Sequence, residues 1–190
     1  GPTMVFCRTK RTCQKTAEDL MERGFKAAPI HGDLGQSARE KALGDFKAGK
    51  SDVLVATDVA ARGIDIDGIT HVINYQCPED EKTYVHRIGR TARAGAHGIA
   101  VTFVDWDELA RWKMINQVLD LGLAEPEETY SSSPHLYEVL DIPAGSTGRI
   151  TKSKPVIQQK AAPEKRVEKK VESKPKVERT RTRTKKFKES

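Results

Sequence analysis

Long apolar runs are missing from this chain of 190 residues. The longest span a handful of positions, against the roughly 20 needed to cross a bilayer. No basic-then-apolar leader opens it. Cysteine is scarce, with three residues (Cys7, Cys13, Cys77). An odd count without paired spacing argues against a disulfide framework or a zinc knot. Aromatics make up only 6% of the chain, and beyond residue 148 Phe187 is the only one. These shortages predict a soluble protein of a reducing, cytoplasmic compartment, with no membrane contact.

Charge is plentiful but unevenly placed. The net value is +6. From Arg149 to Ser190 there are 16 basic and 5 acidic residues, a net +11. Residues 1–148 carry 17 basic and 22 acidic, a net −5. The last segment is mostly Lys, Arg, Glu, Pro, Thr and Val, which cannot bury enough apolar surface to offset its ordering entropy. It is expected to be disordered. A body of about 148 residues can bury one good core. The strand-like run that opens at Thr3 without a lead-in suggests a chain cut from something longer.

Apolar runs at Met4–Cys7, Ala27–Ile30, Asp52–Ala56, His71–Asn74 and Ile99–Val104 read as strands. Pro29 points to an edge position for the second. Between them, a stretch ending near Arg23 places Ala17, Leu20 and Met21 on one helical face. Ser37–Ala48 does the same with Ala38, Ala42, Leu43 and Phe46. Thr9 or Thr12 can cap the first helix. Lys82–Gly89 and Asp107–Leu121 are further helices, and Leu136–Leu140 can add a short element. Alternation of continuous apolar strands with helices indicates an α/β fold, a parallel sheet covered on both faces. The working residues of such sheets lie beyond the strand C-terminal ends.

Gly44–Ser51 satisfies the phosphate-loop pattern G-x-x-x-x-G-K-S/T. A true phosphate loop follows a strand and opens a helix. Here the order is reversed, and Gly49 stands where a helix exit places glycine. The match is rejected.

Two stretches carry the functional signal. His86-Arg87-Ile88-Gly89-Arg90-Thr91-Ala92-Arg93 sets arginines at every third position. On a helix end they would share a face and converge on an anion, with planar forks suited to phosphate. The alternative is a solvated basic helix end. Ala56-Thr57-Asp58-Val59-Ala60-Ala61-Arg62-Gly63-Ile64-Asp65-Ile66 leaves a strand of buried type. Thr57 offers a hydroxyl and amide, Gly63 a close backbone approach, and Asp65 a carboxylate for ribose hydroxyls. A capped turn, with Thr57 or Asp58 closing helix amides, is the alternative, and Asp58 is expected to serve that way. The cysteines lack a neighbouring base and look structural. Trp106 and Trp112, at helical spacing, are expected to pack. His31 and His97 lack ligand-like partners.

With Thr3–Thr9, His31-Gly32-Asp33 and Gln36-Ser37-Ala38-Arg39, these stretches closely resemble the second RecA-like domain of DEAD-box RNA helicases, from about Thr3 to Leu123. The resemblance implies a helicase domain over residues 1–125, while the weakening pattern and the composition mark 126–148 as an extension of weak structure and 149–190 as a disordered basic tail. It implies the C-terminal half of an ATP-dependent RNA helicase. The other half holds the phosphate loop and most of the Mg2+ ligation, so this half alone would not hydrolyse ATP. By position, Arg90 and Arg93 match the arginine fingers for the γ-phosphate, and Asp65, with Gly63 beside it, the ATP contact. Thr57, Arg39, Gly32 and Thr9 match groups that hold the RNA sugar-phosphate strand. Gln36, Arg62, His86 and Arg87 match residues that couple the two sites or bridge the domains. The family usually has glycine where Ala92 stands. The implied cofactors are ATP with Mg2+. The implied partners are RNA, without sequence preference, and the first RecA-like domain, in a monomer. Two other functions fit the residues: a non-catalytic RNA-binding or annealing module driven by the tail, and a related DNA helicase domain.

Overall fold

The computed structural model describes residues 1–92, 97–123 and 125–150. Arg93 and the stretch 151–190 lie outside the described residues, and with them the expectations of a second finger and of a disordered tail.

Five strands form one sheet: β1 (Thr3–Cys7), β2 (Ala27–Ile30), β3 (Val53–Thr57), β4 (His71–Asn74) and β5 (Ile99–Thr102). Their order is β2-β3-β1-β4-β5, and every neighbouring pair is parallel. Register aligns Cys7 with Thr57, Phe6 with Asn74, Asn74 with Thr102 and Ile30 with Ala56. One rim therefore gathers the residues that follow all five strands. β2 is an edge strand, where Pro29 can lack its amide donor.

Helix α1 (Lys10–Glu22) starts where Thr9 Oγ1 accepts from the Thr12 amide at 3.0 Å. It packs Cys13, Ala17 and Leu20 on one face of the sheet, against Val5, Val53 and Val55. Met21 points away and is 45% exposed, because a helical turn of 3.6 residues carries it past the apolar stripe. Helix α2 (Gln36–Lys47) lies in the other apolar cluster, where Ala42, Leu43 and Phe46 meet Met4, Phe6, Ile30 and Leu54. Ala38, expected inside, is exposed. The single turn α3 (Asp58–Ala61) and the apolar residues Ile64, Ile66 and Ile69 complete that cluster.

Helix α4 (Glu81–Ile88) begins on Asp80, whose carboxylate accepts from the Thr83 amide at 2.7 Å. The long helix expected from Asp107 is a 3-10 turn, Trp106–Glu108, running into α5 (Leu109–Leu119). Asp105 and Glu108 close a reciprocal capping box at its start. Tyr84, Cys77, Trp112 and Ile115 form a third core between α4 and α5. A short α6 (Pro134–Val139) follows.

β5 departs from expectation. Ile99 and Ala100 are exposed and its last two residues are half-buried, so burial on both faces does not extend to this edge.

Gly44 lies inside α2 and Gly49 follows its end at φ 68°. The amides of Lys50 and Ser51 both turn back to the Asp45 carbonyl. A segment whose amides are spent on closing a helix cannot cradle phosphate, so the Gly44–Ser51 match is a helix exit.

Candidate functional site

The rim is organised around Arg87. Its side chain is 1% exposed, unusual for a residue that cannot shed its charge. It is neutralised in place. Nε and Nη2 donate to the two carboxylate oxygens of Asp58, each at 2.7 Å. Nη1 donates to Asn74 Oδ1 at 3.2 Å and to the Gln76 carbonyl at 2.9 Å. The guanidinium plane lies 5.3 Å from the centre of the Phe6 ring. One side chain thus joins the ends of β1, β3 and β4. Two expectations fall here. Arg87 does not converge with Arg90 on an anion, because its fork is already occupied. Asp58 does not cap α3, because both its oxygens are spent on Arg87, and Thr57 makes no side-chain cap either.

Arg90 lies beyond the end of α4, half-buried. Its Nη1 donates to the Ile64 carbonyl at 2.9 Å and its Nε to the His86 carbonyl at 3.3 Å. These bonds to neutral carbonyls leave its charge uncompensated by any carboxylate in contact among the described residues. The Ile64 contact brings Arg90 beside Asp65. Asp65 is exposed between buried Ile64 and Ile66, which pin the backbone on either side of it. Gly63 holds φ at 72°, a conformation that costs a side-chain-bearing residue about 1 kcal/mol. A shallow cleft is lined by Arg62, Thr83, His86, Arg87 and Arg90. Arg62 and His86 are exposed there.

A second group lies along the ends of β1, β3 and β2, which are neighbours in the sheet. Thr9 is exposed, Thr57 is buried at its strand end, and Gly32 follows β2. A Cβ at Gly32 would meet only the flexible end of Lys10, at 3.4 Å. Packing does not demand glycine there. Lys10 pairs with Asp33 at 2.5 Å, and this holds the Asp33 carboxyl below its ordinary range. Buried His31 faces Gln14 at 3.0 Å and accepts the Asp33 amide on Nδ1 at 3.3 Å, which fixes the loop. Arg39, in the first turns of α2, is half-buried with no side-chain partner among the described residues. Gln36 donates to Glu40 at 2.7 Å.

The helicase conserved C-terminal domain family matches residues 1–95. A DEAD-box ATP-dependent RNA helicase CshA from Bacillus subtilis (strain 168) is 54% identical over 114 residues, covering 60% of this chain and 23% of the relative. An ATP-dependent RNA helicase CshA from Limosilactobacillus reuteri is 56% identical over 127 residues, 65% of this chain and 26% of the relative. The E. coli DEAD-box protein SrmB, solved bound to the regulator RraA, superposes with a TM-score of 0.60 at 34% identity, covering 70% of this chain and 82% of that one. The C-terminal domain of the DEAD-box protein Dbp5 superposes at 0.58 with 37% identity, over 63% of this chain and 70% of that one.

The chain belongs to the DEAD-box helicase C-terminal domain family.

This DEAD-box domain spans about a quarter of the length of the curated relatives it matches. Its sheet is the RecA-like one that the sequence led us to expect. Ala92, where the family usually has glycine, holds φ at 55°. The backbone keeps the left-handed shape that glycine adopts freely, and alanine bears the strain.

The three thiols are buried, and desolvation pushes Cys7 up to about 11, Cys13 to about 12 and Cys77 to about 11. They are inert near neutrality. Among the described residues no three His, Cys, Asp or Glu side chains group as metal ligands, and no helix is long and apolar enough to cross a membrane.

Three residues of the rim were not singled out from sequence. Asn74 and Gln76 receive Arg87, and Gln76 Oε1 also accepts the Arg8 amide at 3.0 Å. Glu108 is buried, accepting from the Cys77 amide at 3.2 Å and facing Arg8 at 3.4 Å. A polar residue inside an apolar strand, Asn74, was the available signal. Trp112 packs as expected, but Trp106 is 76% exposed, because the chain enters α5 through a 3-10 turn that breaks the assumed helical spacing.

Proposed function

We propose that the domain is the C-terminal half of an ATP-dependent RNA helicase, supplying charge to a nucleotide bound mainly by a first RecA-like domain. Arg90 meets the γ-phosphate and Asp65 the ribose, with Gly63 permitting the close backbone approach between them. Arg93 is assigned the second finger on the family resemblance alone. Thr9, Gly32, Thr57 and Arg39 hold the RNA sugar-phosphate strand, and backbone contacts carry no sequence preference. Gln36, Arg62 and His86 couple the two sites. Arg87 couples them by bracing the rim rather than by touching a ligand. Residues 1–125 form the second RecA-like helicase domain, 126–148 an extension, and 149–190 a basic tail whose net +11 binds polyanions with steep salt dependence.

ATP supplies the scissile bond, and with its Mg2+ the charge these residues answer. The protein's part is positioning. Phosphoryl transfer needs placed positive charge more than covalent help. Splitting the site across two lobes makes closure favoured by nucleotide and RNA together, so each ligand raises the affinity for the other.

The observation that carries this assignment is the Arg90–Ile64 hydrogen bond, which sets beside Asp65 an arginine that has no carboxylate partner among the described residues. A mixture of this chain, a first RecA-like domain, RNA and ADP with beryllium fluoride is expected to form a complex by sedimentation. Arg90→Ala should abolish it while the separate chain remains folded. Unchanged assembly would overturn the assignment of Arg90.

A further inference from the structure

At the other side of the rim, beyond β4 and β5, lies a larger cleft unused by the nucleotide and RNA assignments. Four aromatics open onto it. Tyr75 and Phe103 make an edge-to-face pair with ring centres 6.3 Å apart. Both are about half exposed, Trp106 is 76% exposed and Tyr130 63%. Exposed aromatics gathered in one concavity mark a contact surface rather than random leakage from a core.

Its charge is one-sided. Asp105, Asp107, Glu108, Glu127 and Glu128 line it, against Arg8 alone. Arg8 is itself drawn to Glu108 at 3.4 Å. Glu108 is 5% exposed, yet its Oε1 receives no hydrogen bond, although Arg8 and Arg111 stand at 3.4 and 3.7 Å. The Arg111 Nη1 that faces it is equally without a hydrogen bond, so Glu108 is balanced by the two arginines behind the surface and the exposed acids are left to set the charge of the cleft. Asp107 is exposed with no partner among the described residues.

We propose that this cleft is a docking surface for an arginine-rich, extended peptide segment of a partner protein. Guanidinium groups stack on exposed indole and phenol faces and pair with carboxylates through the same planar fork. The aromatics and acids of the cleft offer both at once. RNA fits poorly, because its phosphates would meet five carboxylates across one arginine. The proposal stands apart from the nucleotide and RNA assignments.

The test is fluorescence anisotropy of a labelled synthetic peptide of alternating arginine and serine, titrated with the full chain. Citrulline replaces arginine in a control peptide, and oligouridine serves as a second probe. Micromolar binding of the arginine peptide is expected, with the citrulline peptide weaker by about tenfold or more. Trp106→Ala, and Asp107→Asn combined with Glu128→Gln, should each weaken binding by about tenfold, with circular dichroism unchanged. In the wild type, Trp106 emission should respond to the peptide, since Trp112 is shielded in the core. Equal affinity for wild type and both variants would overturn the proposal. So would a Trp106 response to oligouridine and not to the peptide. Binding seen only after residues 151–190 are removed would assign the cleft to the chain's own basic segment, and would equally overturn it.

Discussion

Arg87 and Arg90 stand three residues apart in one short stretch and serve opposite ends. Arg87 is sealed under the rim, its fork satisfied by Asp58, Asn74 and Gln76. Arg90 rests on two carbonyls with no carboxylate in contact among the described residues. The difference follows from where α4 stops. Arg87 is inside the helix and its side chain is carried inward. Arg90 follows Gly89, after the helical path has ended. One arginine holds the site's shape and the other keeps its charge available. Residue type alone does not separate them, but the compensating carboxylate does.

The comparison breaks first if stability does not distinguish the two. Arg87→Ala strands Asp58 and should cost about 3 kcal/mol, the low end for a broken buried pair because Asp58 is 30% exposed. Arg90→Ala should cost under about 1 kcal/mol, the worth of a hydrogen bond to a carbonyl. Urea denaturation of both variants measures this, and equal losses would contradict it.

Thiol labelling sharpens the same contrast. With thiols at about 11 to 12 and no solvent access, Cys7, Cys13 and Cys77 should resist alkylation at neutral pH until the chain opens. Labelling in the Arg87→Ala chain should then run about a hundredfold faster, tracking the open population. Arg90→Ala should label nearly as slowly as the wild type.

A smaller effect acts through the start of the helix that holds Arg87 and leads to Arg90. Asp80→Ala removes a cap worth about 1 kcal/mol. The Thr83 amide, and then its hydroxyl, hold the Asp80 carboxyl below its ordinary range. A depressed folded-state value means the stabilisation is present above the unfolded carboxylate pKa of about 3.9 and fades as pH falls through the lower folded value. The difference in stability between wild type and Asp80→Ala should therefore be constant near neutrality and shrink in acid.

The smallest effect lies just past Arg90. Ala92→Gly relieves a left-handed alanine and should change stability by well under about 1 kcal/mol, stabilising if relief outweighs the freedom glycine adds to the unfolded chain. Thermal unfolding shows the sign, and a large loss would mean that the alanine side chain is needed for packing.

The sheet was largely legible because parallel strands buried on both faces leave unbroken apolar runs, as at Val53–Thr57. β5 shows where that signal stops: its apolar residues sit on an exposed edge. α3 is a single turn, too short for helical periodicity to declare itself. At the site, the rim position of Thr57 and of the segment that carries Asp65 followed from the end of β3, whereas Arg90 reaches that segment through a bond between residues 26 apart in sequence. The capture of Arg87 by Asp58 did not follow from strand ends, because the two are 29 residues apart in sequence and meet only once β3 and β4 flank β1. Three-residue spacing made the arginines look equivalent, and only the helix terminus tells them apart. Trp106 was misplaced for a related reason, since spacing counts assume one continuous helix.

In the proposed function Arg90 waits for a triphosphate delivered by another lobe. RNA-stimulated ATP hydrolysis by this chain mixed with a first RecA-like domain tests it most directly. Arg90→Ala should lower the rate by about a thousandfold or more while the unfolding midpoint of the chain moves little. A variant that turns over ATP at the wild-type rate would contradict the account.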